Sequence, residues 1–282
     1  KMWLIKIKDY MAVTTLCSVI VTPKNEDKHV ENCLRSIKEQ TYPAQNIEII
    51  VVDNNSTDKT KEITKQYTEK VFNYGPERSA QRNYGVQKSV GKHFLYLDAD
   101  MILTKRVIEI CVKKMEADSS LVGLYIPEII MGDGYWPKVR RFERSFYNGT
   151  VIDCVRFVRK DKFLAVGGFD LTMTGPEDWD LDKKLRQTGR VELIQDLLYH
   201  NETKFNLKKY LTKKSYYMES IGTYVRKWGK GEKDIKKQLG FYYRFFGVFI
   251  ENGKWRKLFS HPILTLGMYF LRGLVGIKFI FK

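Results

Sequence analysis

An α/β fold built on a doubly wound, mostly parallel sheet is what this 282-residue sequence predicts. Three observations predict it. Short β-branched apolar runs alternate with amphipathic segments of helical length. The connections between them are short. Polar and acidic residues gather where the apolar runs stop, the edge at which open parallel sheets bind ligands.

The first run is Cys17-Ser-Val-Ile-Val-Thr22, closed by Pro23 as a buried strand entering a turn. Asp27 to Gln40 follows, with Val30, Cys33, Leu34 and Ile37 on one helical face. Ile47–Val52 is a second buried strand. The loop Asp53-Asn-Asn-Ser-Thr57 is rich in residues that cap helices, and a helix runs from it toward Glu69. Val71–Tyr74 is a short strand, Ser79–Val90 a helix and His93–Leu97 a fourth strand. Thr22, Asp53 and Asp98 all fall at carboxyl ends of strands. Further on, Thr104–Met115 reads as helix, Leu121–Ile126 as strand, Ile152–Val158 as an alternating strand, Gly167–Asp170 as a turn, Glu177–Gln187 as helix and Val191–Tyr199 as extended chain. Met131–Asn148, with two glycines, a proline and a basic run, has no clear period.

Composition is that of a globular protein with a sizeable core: 43% apolar and 29% charged residues. This excludes a disordered, collagen-like or disulfide-scaffold chain. Cys17, Cys33, Cys111 and Cys154 lack paired metal or redox spacing, so reduced thiols are expected. Lys1–Thr15 has neither a long apolar run nor a small-residue cleavage site, so no leader is expected there.

The net charge is +16, and its distribution is uneven. Residues 206–282 carry 17 Lys+Arg against 4 Asp+Glu, and 17 aromatic residues; residues 1–205 carry 32 against 29. The sequence therefore divides into an extension (1–16), an α/β domain (17–205) and a helical, basic, aromatic region (206–282). Lysine and arginine interleaved with tyrosine and tryptophan suit an anionic membrane surface, and also single-stranded nucleic acid. Pro262–Lys282 would extend about 31 Å as a helix, just enough to span a bilayer. Arg272 at its centre favours instead a helix lying in the interface.

Few residues here can carry chemistry. Asp98-x-Asp100 at a strand end can hold a hard divalent cation, or can be a solvated turn capping the next helix. Glu177-Asp178 opens a helix after a Gly-Pro turn. A carboxylate there can be a general base, but the helix dipole alone also favours acids in a first turn. His200, one of four histidines, is either a ligand or a satisfied surface residue. No Gly-x-Gly-x-x-Gly, phosphate loop or Ser-His-Asp spacing is present.

Taken in order, the segments resemble family 2 glycosyltransferases, which have the GT-A fold. Ser18-Val-Ile-Val-Thr-Pro-Lys-Asn-Glu26 resembles the family's opening strand, Cys33-Leu-Arg-Ser-Ile-Lys-Glu-Gln40 its first helix, and Glu48–Asp58 its nucleotide-binding loop. Ala80-Gln-Arg-Asn-Tyr-Gly85 resembles Ala-Arg-Asn-x-Gly with one residue inserted, and Tyr96-Leu-Asp-Ala-Asp100 the metal motif. Gly167-Gly-Phe-Asp170 and Glu177-Asp-Trp-Asp-Leu181 resemble the acceptor-side motifs. The resemblance implies that Thr22, Glu26, Asp53, Arg82 and Asp98 hold a nucleotide-sugar donor. It implies that Asp98, Asp100 and His200 bind Mn²⁺ or Mg²⁺, and that Asp178, beside Glu177, is the base of an inverting transfer. Asn54 departs from the acidic residue often found there, and the Gln-x-x-Arg-Trp of processive synthases is absent, which favours single-sugar transfer.

The expectation is a metal-dependent glycosyltransferase, peripheral or monotopic at the cytoplasmic face of the cell membrane, acting on a lipid-linked glycan, polysaccharide or glycolipid. The near-neutral body would grip the donor, and the basic tail would dock on anionic lipid rather than nucleic acid. Two rivals are a basic nucleic-acid-binding protein and a non-catalytic sugar-nucleotide binder.

Overall fold

The computed structural model describes residues 15–202 and 205–280. The expected extension, 1–16, lies almost wholly outside them. The strands are β1 (Cys17–Val21), β2 (Ile47–Asp53), β3 (Val71–Asn73), β4 (His93–Leu97), β5 (Met101–Leu103), β6 (Leu121–Tyr125), β7 (Glu128–Met131), β8 (Phe157–Arg159), β9 (Arg190–Leu193) and β10 (Leu198–Asn201). Seven form a sheet of order β3-β2-β1-β4-β8-β6-β9, and β5-β10-β7 form a smaller one. The first four of the large sheet run parallel, and β8 is antiparallel to both its neighbours.

Register brings the ligand edge together. Val21 lies opposite Val51 on one side and Leu97 on the other. Thr22 and Asp98, each one residue beyond its strand, and Asp53, the last residue of β2, therefore line up along one sheet edge. The strands are buried on both faces, which is why they read as continuous apolar runs.

Helices α1 (Val30–Lys38), α2 (Thr60–Lys65), α3 (Arg78–Lys88), α4 (Val107–Ala117), α5 (Tyr135–Arg144), α6 (Lys160–Ala165) and α7 (Glu177–Arg186) belong to the body. α1 buries Val30, Cys33, Leu34 and Ile37, the four residues its period singled out. Val30, Leu34 and Ile37 each contribute roughly 1.5–3 kcal/mol by leaving water. All four cysteines are free thiols, three of them buried.

Three stretches differ from the sequence reading. Only Phe157–Arg159 of the expected strand 152–158 is a strand. Upstream, the Asp153 carboxylate accepts from Gly149 N–H and from Arg144, both at 2.8 Å, and closes a turn that alternation alone could not reveal. Val191–Tyr199 is two strands: the chain leaves the large sheet after Leu193 and joins the small one at Leu198. Met101–Leu103 is a strand because β10 pairs with it from a distance.

Beyond residue 206 the described chain is helical: α8 (Leu207–Met218), α9 (Ile221–Trp228), α10 (Lys233–Leu239), a π-helical turn (Tyr243–Gly247), α11 (Trp255–Ser260) and α12 (Pro262–Ile280). These helices share a core with the body. Val248, Phe249, Met268 and Leu271 pack on Val139, Phe142 and Phe146. α12 approaches α5 closely at Gly267, where a Cβ would stand 2.3 Å from the Tyr135 hydroxyl. Among the described residues no helix is long and apolar enough to cross a membrane. This removes the spanning alternative for the described part of 262–282. Arg272 faces neither lipid nor water: it is 6% exposed and donates to Glu143 at 2.8 Å and to the Tyr147 oxygen at 2.6 Å.

Candidate active site

A cleft of about 320 Å³ opens at the carboxyl edge of the parallel strands. Of the residues singled out from sequence, Thr22, Glu26, Asp98, Asp100 and His200 line it. Asp53, Arg82, Glu177 and Asp178 lie outside that lining.

Arg82 is the hub. α3 carries it inward until it is 1% exposed, between the rings of Tyr96 and Phe169. Its Nη2 donates to Asp98 Oδ1 at 2.8 Å and its Nη1 to Asp178 Oδ1 at 2.9 Å. One guanidinium thus ties the end of β4 to the start of α7, segments 80 residues apart. Arg78, one helical turn earlier on α3, stands 3.9 Å from Asp98 Oδ2 and 3.4 Å from Glu177 Oε1. Burial would raise the pKa of Asp98, but Arg82 and then Arg78 outweigh it and hold the carboxyl well below its ordinary range.

The two acids at the start of α7 behave differently. Glu177 is buried: it accepts the Gly175 N–H and faces Arg78. Burial, and next Asp178, push its pKa up. Gly175 has φ of +108°, and a Cβ there would lie 2.4 Å from the Tyr217 carbonyl, so the turn that aims α7 admits only glycine. Asp178 keeps 24% of its side chain exposed, and the Tyr96 hydroxyl lies 3.4 Å away. Of the pair, Asp178 is the one a substrate can reach.

Asp100 and His200 meet across the two small-sheet strands β5 and β10. His200 Nε2 lies 3.1 Å from Asp100 Oδ2, and its Nδ1 2.7 Å from Glu128 Oε1. Burial opposes a charge on His200, but Glu128 and Asp100 overcome it and raise its pKa well above the ordinary value. Asp100 Oδ1 is buried with no hydrogen-bond partner. That orphaned oxygen, beside a histidine whose far nitrogen is fixed by a carboxylate, is the donor chemistry a divalent cation uses. Among the described residues, no group of three or more His, Cys, Asp or Glu is gathered to hold an ion. Asp100 and His200 are the two side chains here that could contribute to such a site.

Asp53 is fully buried. Its Oδ2 accepts Ser56 N–H at 2.8 Å, which folds the loop after β2, while Oδ1 has no partner. Glu26 is fixed by Thr60, whose hydroxyl takes its N–H at 2.8 Å, and by His29 at 2.9 Å.

Sequence reasoning missed part of the lining. Lys24, Asn54, Pro76, Glu77, Arg78 and Gln81 come from the body, while Lys213 and Tyr216 come from α8. The i, i+4 relation to Arg82 could have found Arg78. Nothing local could have found Lys213 and Tyr216. The Tyr216 hydroxyl donates to Glu77 at 2.6 Å, and the Tyr217 ring stacks under Arg78 at 5.3 Å. α8, which belongs to the basic region expected to dock, is thus also a wall of the cleft.

The family model for glycosyl transferase family 2 matches residues 18–172, more than half of the chain. The chain belongs to glycosyltransferase family 2. Glycosyltransferase AglE of Haloferax volcanii is 38% identical over 90 residues, 29% of this chain and 30% of that protein. A Methanococcus voltae protein, dolichyl N-acetyl-alpha-D-glucosaminyl phosphate 3-beta-D-2,3-diacetamido-2,3-dideoxy-beta-D-glucuronosyltransferase, is 23% identical over 245 residues, 74% of each chain. The chain spans less than a third of the length of several curated relatives it matches, AglE among them. The fold is GT-A-like. The mannosyltransferase PcManGT of Pyrobaculum calidifontis, solved with GDP-Man and Mn²⁺, superposes with a TM-score of 0.64 at 18% identity, covering 94% of this chain and 84% of that one.

Proposed function

We propose that this family 2 glycosyltransferase moves one sugar from a nucleotide-sugar to a hydroxyl of a lipid-linked glycan, polysaccharide or glycolipid, with inversion at the anomeric carbon. The observation that carries the reading is Arg82. It binds a carboxylate of the donor cleft, Asp98, to a reachable carboxylate outside it, Asp178, and so sets base and donor in one rigid frame. Thr22, Glu26 and Asp98 hold the nucleotide side of the donor. Asp53 shapes the loop beneath it. Asp178 takes the proton of the acceptor hydroxyl as that oxygen attacks the anomeric carbon and the nucleoside diphosphate leaves. Glu177 fixes the turn that aims Asp178.

Asp100 and His200 would hold Mn²⁺ or Mg²⁺. When bound, such an ion neutralises charge developing on the leaving diphosphate. Arg78 and Lys213, both at the cleft, supply fixed positive charge to the same group.

The acceptor side is read from the helical region. Ile263, Leu266, Phe270 and Ile277 form an exposed stripe along one face of α12, and Trp255 and Phe259 are exposed on α11. Apolar side chains on a basic surface suit a helix pair lying in the headgroup region of an anionic membrane, here the cytoplasmic face. The Methanococcus voltae relative, a dolichyl phosphate enzyme by name, supports a lipid-borne acceptor.

The test is donor hydrolysis with several nucleotide-sugars, in Mn²⁺ or EDTA, for the wild type and Asp100→Ala. At least one donor should turn over in Mn²⁺, stop in EDTA, and fall at least about 100-fold in the variant. If no donor is bound or turned over, or if Asp100→Ala changes nothing, the reading is wrong.

A further inference from the structure

Away from the donor cleft, four basic side chains meet among α5, α8, the π-helical turn and α12: Arg140, Lys214, Arg244 and Arg272. Their shared counter-ion is Glu143. It accepts from Arg140 Nη1 at 2.7 Å, Arg272 Nη1 at 2.8 Å and the Tyr147 hydroxyl at 2.5 Å. Glu202 adds one contact, 3.4 Å from Arg140 Nε. Two carboxylates thus face four cations.

The imbalance falls on Lys214 and Arg244. Among the described residues neither the ammonium nor the guanidinium has a hydrogen-bond or ion-pair partner. They stand against rings instead: Lys214 Nζ is 5.6 Å from the Tyr210 centroid, whose ring Arg140 also faces at 5.0 Å, and Arg244 is 5.9 Å from the Tyr147 centroid. Arg244 Nη1 and Arg272 Nε are buried donors with no acceptor. Buried N–H groups are almost always satisfied, and a buried cation without an anion is costly. Lys214 is partly exposed beside them, and desolvation, then Arg140, bring its pKa down to about 7.

What the cluster lacks is an anion with several acceptor oxygens. A phosphate group has them, and paired arginines match its geometry better than a lone carboxylate would. Arg244 sits in the π-helical turn, a distortion frequent at functional sites, between the exposed rings of Tyr242 and Phe246. We propose that Arg140, Lys214, Arg244 and Arg272 form a phosphate-binding site, separate from the donor cleft, that takes a phosphate group from a lipid head or from solution. α8 serves both sites, presenting Lys213 to the cleft and Lys214 to the cluster. An occupied cluster would therefore help to hold that wall of the cleft in place.

The test uses no donor, so its outcome is independent of the transferase reading. Melting is followed in inorganic phosphate and in chloride at equal ionic strength. Sedimentation is followed with vesicles of phosphatidylglycerol and phosphatidylcholine against phosphatidylcholine alone. The proteins are the wild type, Lys214→Gln, Arg244→Gln, Arg244→Lys and the exposed control Lys233→Gln. Phosphate should raise the wild-type and Lys233→Gln midpoints by several degrees, and Arg244→Lys by part of that. It should not raise those of Lys214→Gln and Arg244→Gln. In chloride the two glutamine variants should melt no lower than the wild type, since each removes an unpaired cation, and this also shows that they fold. If lipid is the source, each glutamine variant also loses about five-fold in phosphatidylglycerol binding beyond the control. If soluble phosphate is the source, only the melting shift separates the variants. Equal phosphate shifts in wild type and both glutamine variants, or no wild-type response to phosphate or to phosphatidylglycerol, overturns the proposal.

Discussion

Replacing Arg82 by methionine tests the frame on which the site is built. Methionine fills much of the volume between Tyr96 and Phe169 but removes both charge-assisted bonds, 2.8 Å to Asp98 and 2.9 Å to Asp178. Removing one partner of a buried ion pair costs about 3–5 kcal/mol. Asp98 keeps Arg78 at 3.9 Å and Asp178 keeps solvent access, which places the cost near the lower end, about 3 kcal/mol. At about 2–4 °C per kcal/mol for a domain of this size, the midpoint should fall by about 6–12 °C at pH 7. The loss should depend on pH. The folded pKa of Asp98 is depressed, so its contribution is complete above the unfolded value, about 3.9, and disappears as pH falls through the folded one. The deficit of Arg82→Met should therefore be constant from pH 8 to about pH 5 and narrow below that. Calorimetry across this range measures it. A shift under about 2 °C at pH 7, or a deficit that widens in acid, would refute the reasoning.

Further outcomes follow from the same contacts. Asp178→Asn should keep donor binding, by titration with the nucleotide-sugar, and lose transfer by at least about 100-fold; full transfer would remove Asp178 as base. Burial raises the Asp182 pKa to about 6, above its unfolded value near 3.9. Ionising it therefore costs the folded state, and Asp182→Asn should gain stability relative to wild type between pH 4 and pH 7 by denaturant titration; a relative loss over that range would contradict this. Leu266→Ser with Phe270→Ser should weaken binding to anionic vesicles about ten-fold or more while the melting midpoint holds, because both side chains are exposed. Unchanged sedimentation would dismiss α12 as the docking face.

Much of the α/β body was legible because its signals are local. β1, β2 and β4 are continuous β-branched runs, and α1 shows its buried face as a 3-4 spacing. The ends of those strands named Thr22, Asp53, Asp98 and Asp100 directly. What stayed illegible lacked a local cause. Residues 152–156 alternate like a strand, yet one carboxylate, Asp153, turns them. Met101–Leu103 is a strand only because residue 198 and its successors arrive beside it. Glu177 and Asp178 are adjacent and alike in sequence, but one is consumed by a turn and the other is left partly exposed.

The sequence by itself determined the family, the parallel sheet and the acids at its edge, since periodicity and motif order act over a few residues at a time. The tertiary structure alone decided what the charge does. The surplus of residues 206–282 suggested a docking surface, and Arg272 a charge at mid-helix. In the fold, Lys213 walls the cleft, Lys214 and Arg244 stand partly buried with no ion-pair partner among the described residues, and Arg272 is turned inward onto Glu143. A charge count fixes the sign of a long-range field. Which charges meet a carboxylate, a ring or open water depends on contacts between residues more than a hundred positions apart.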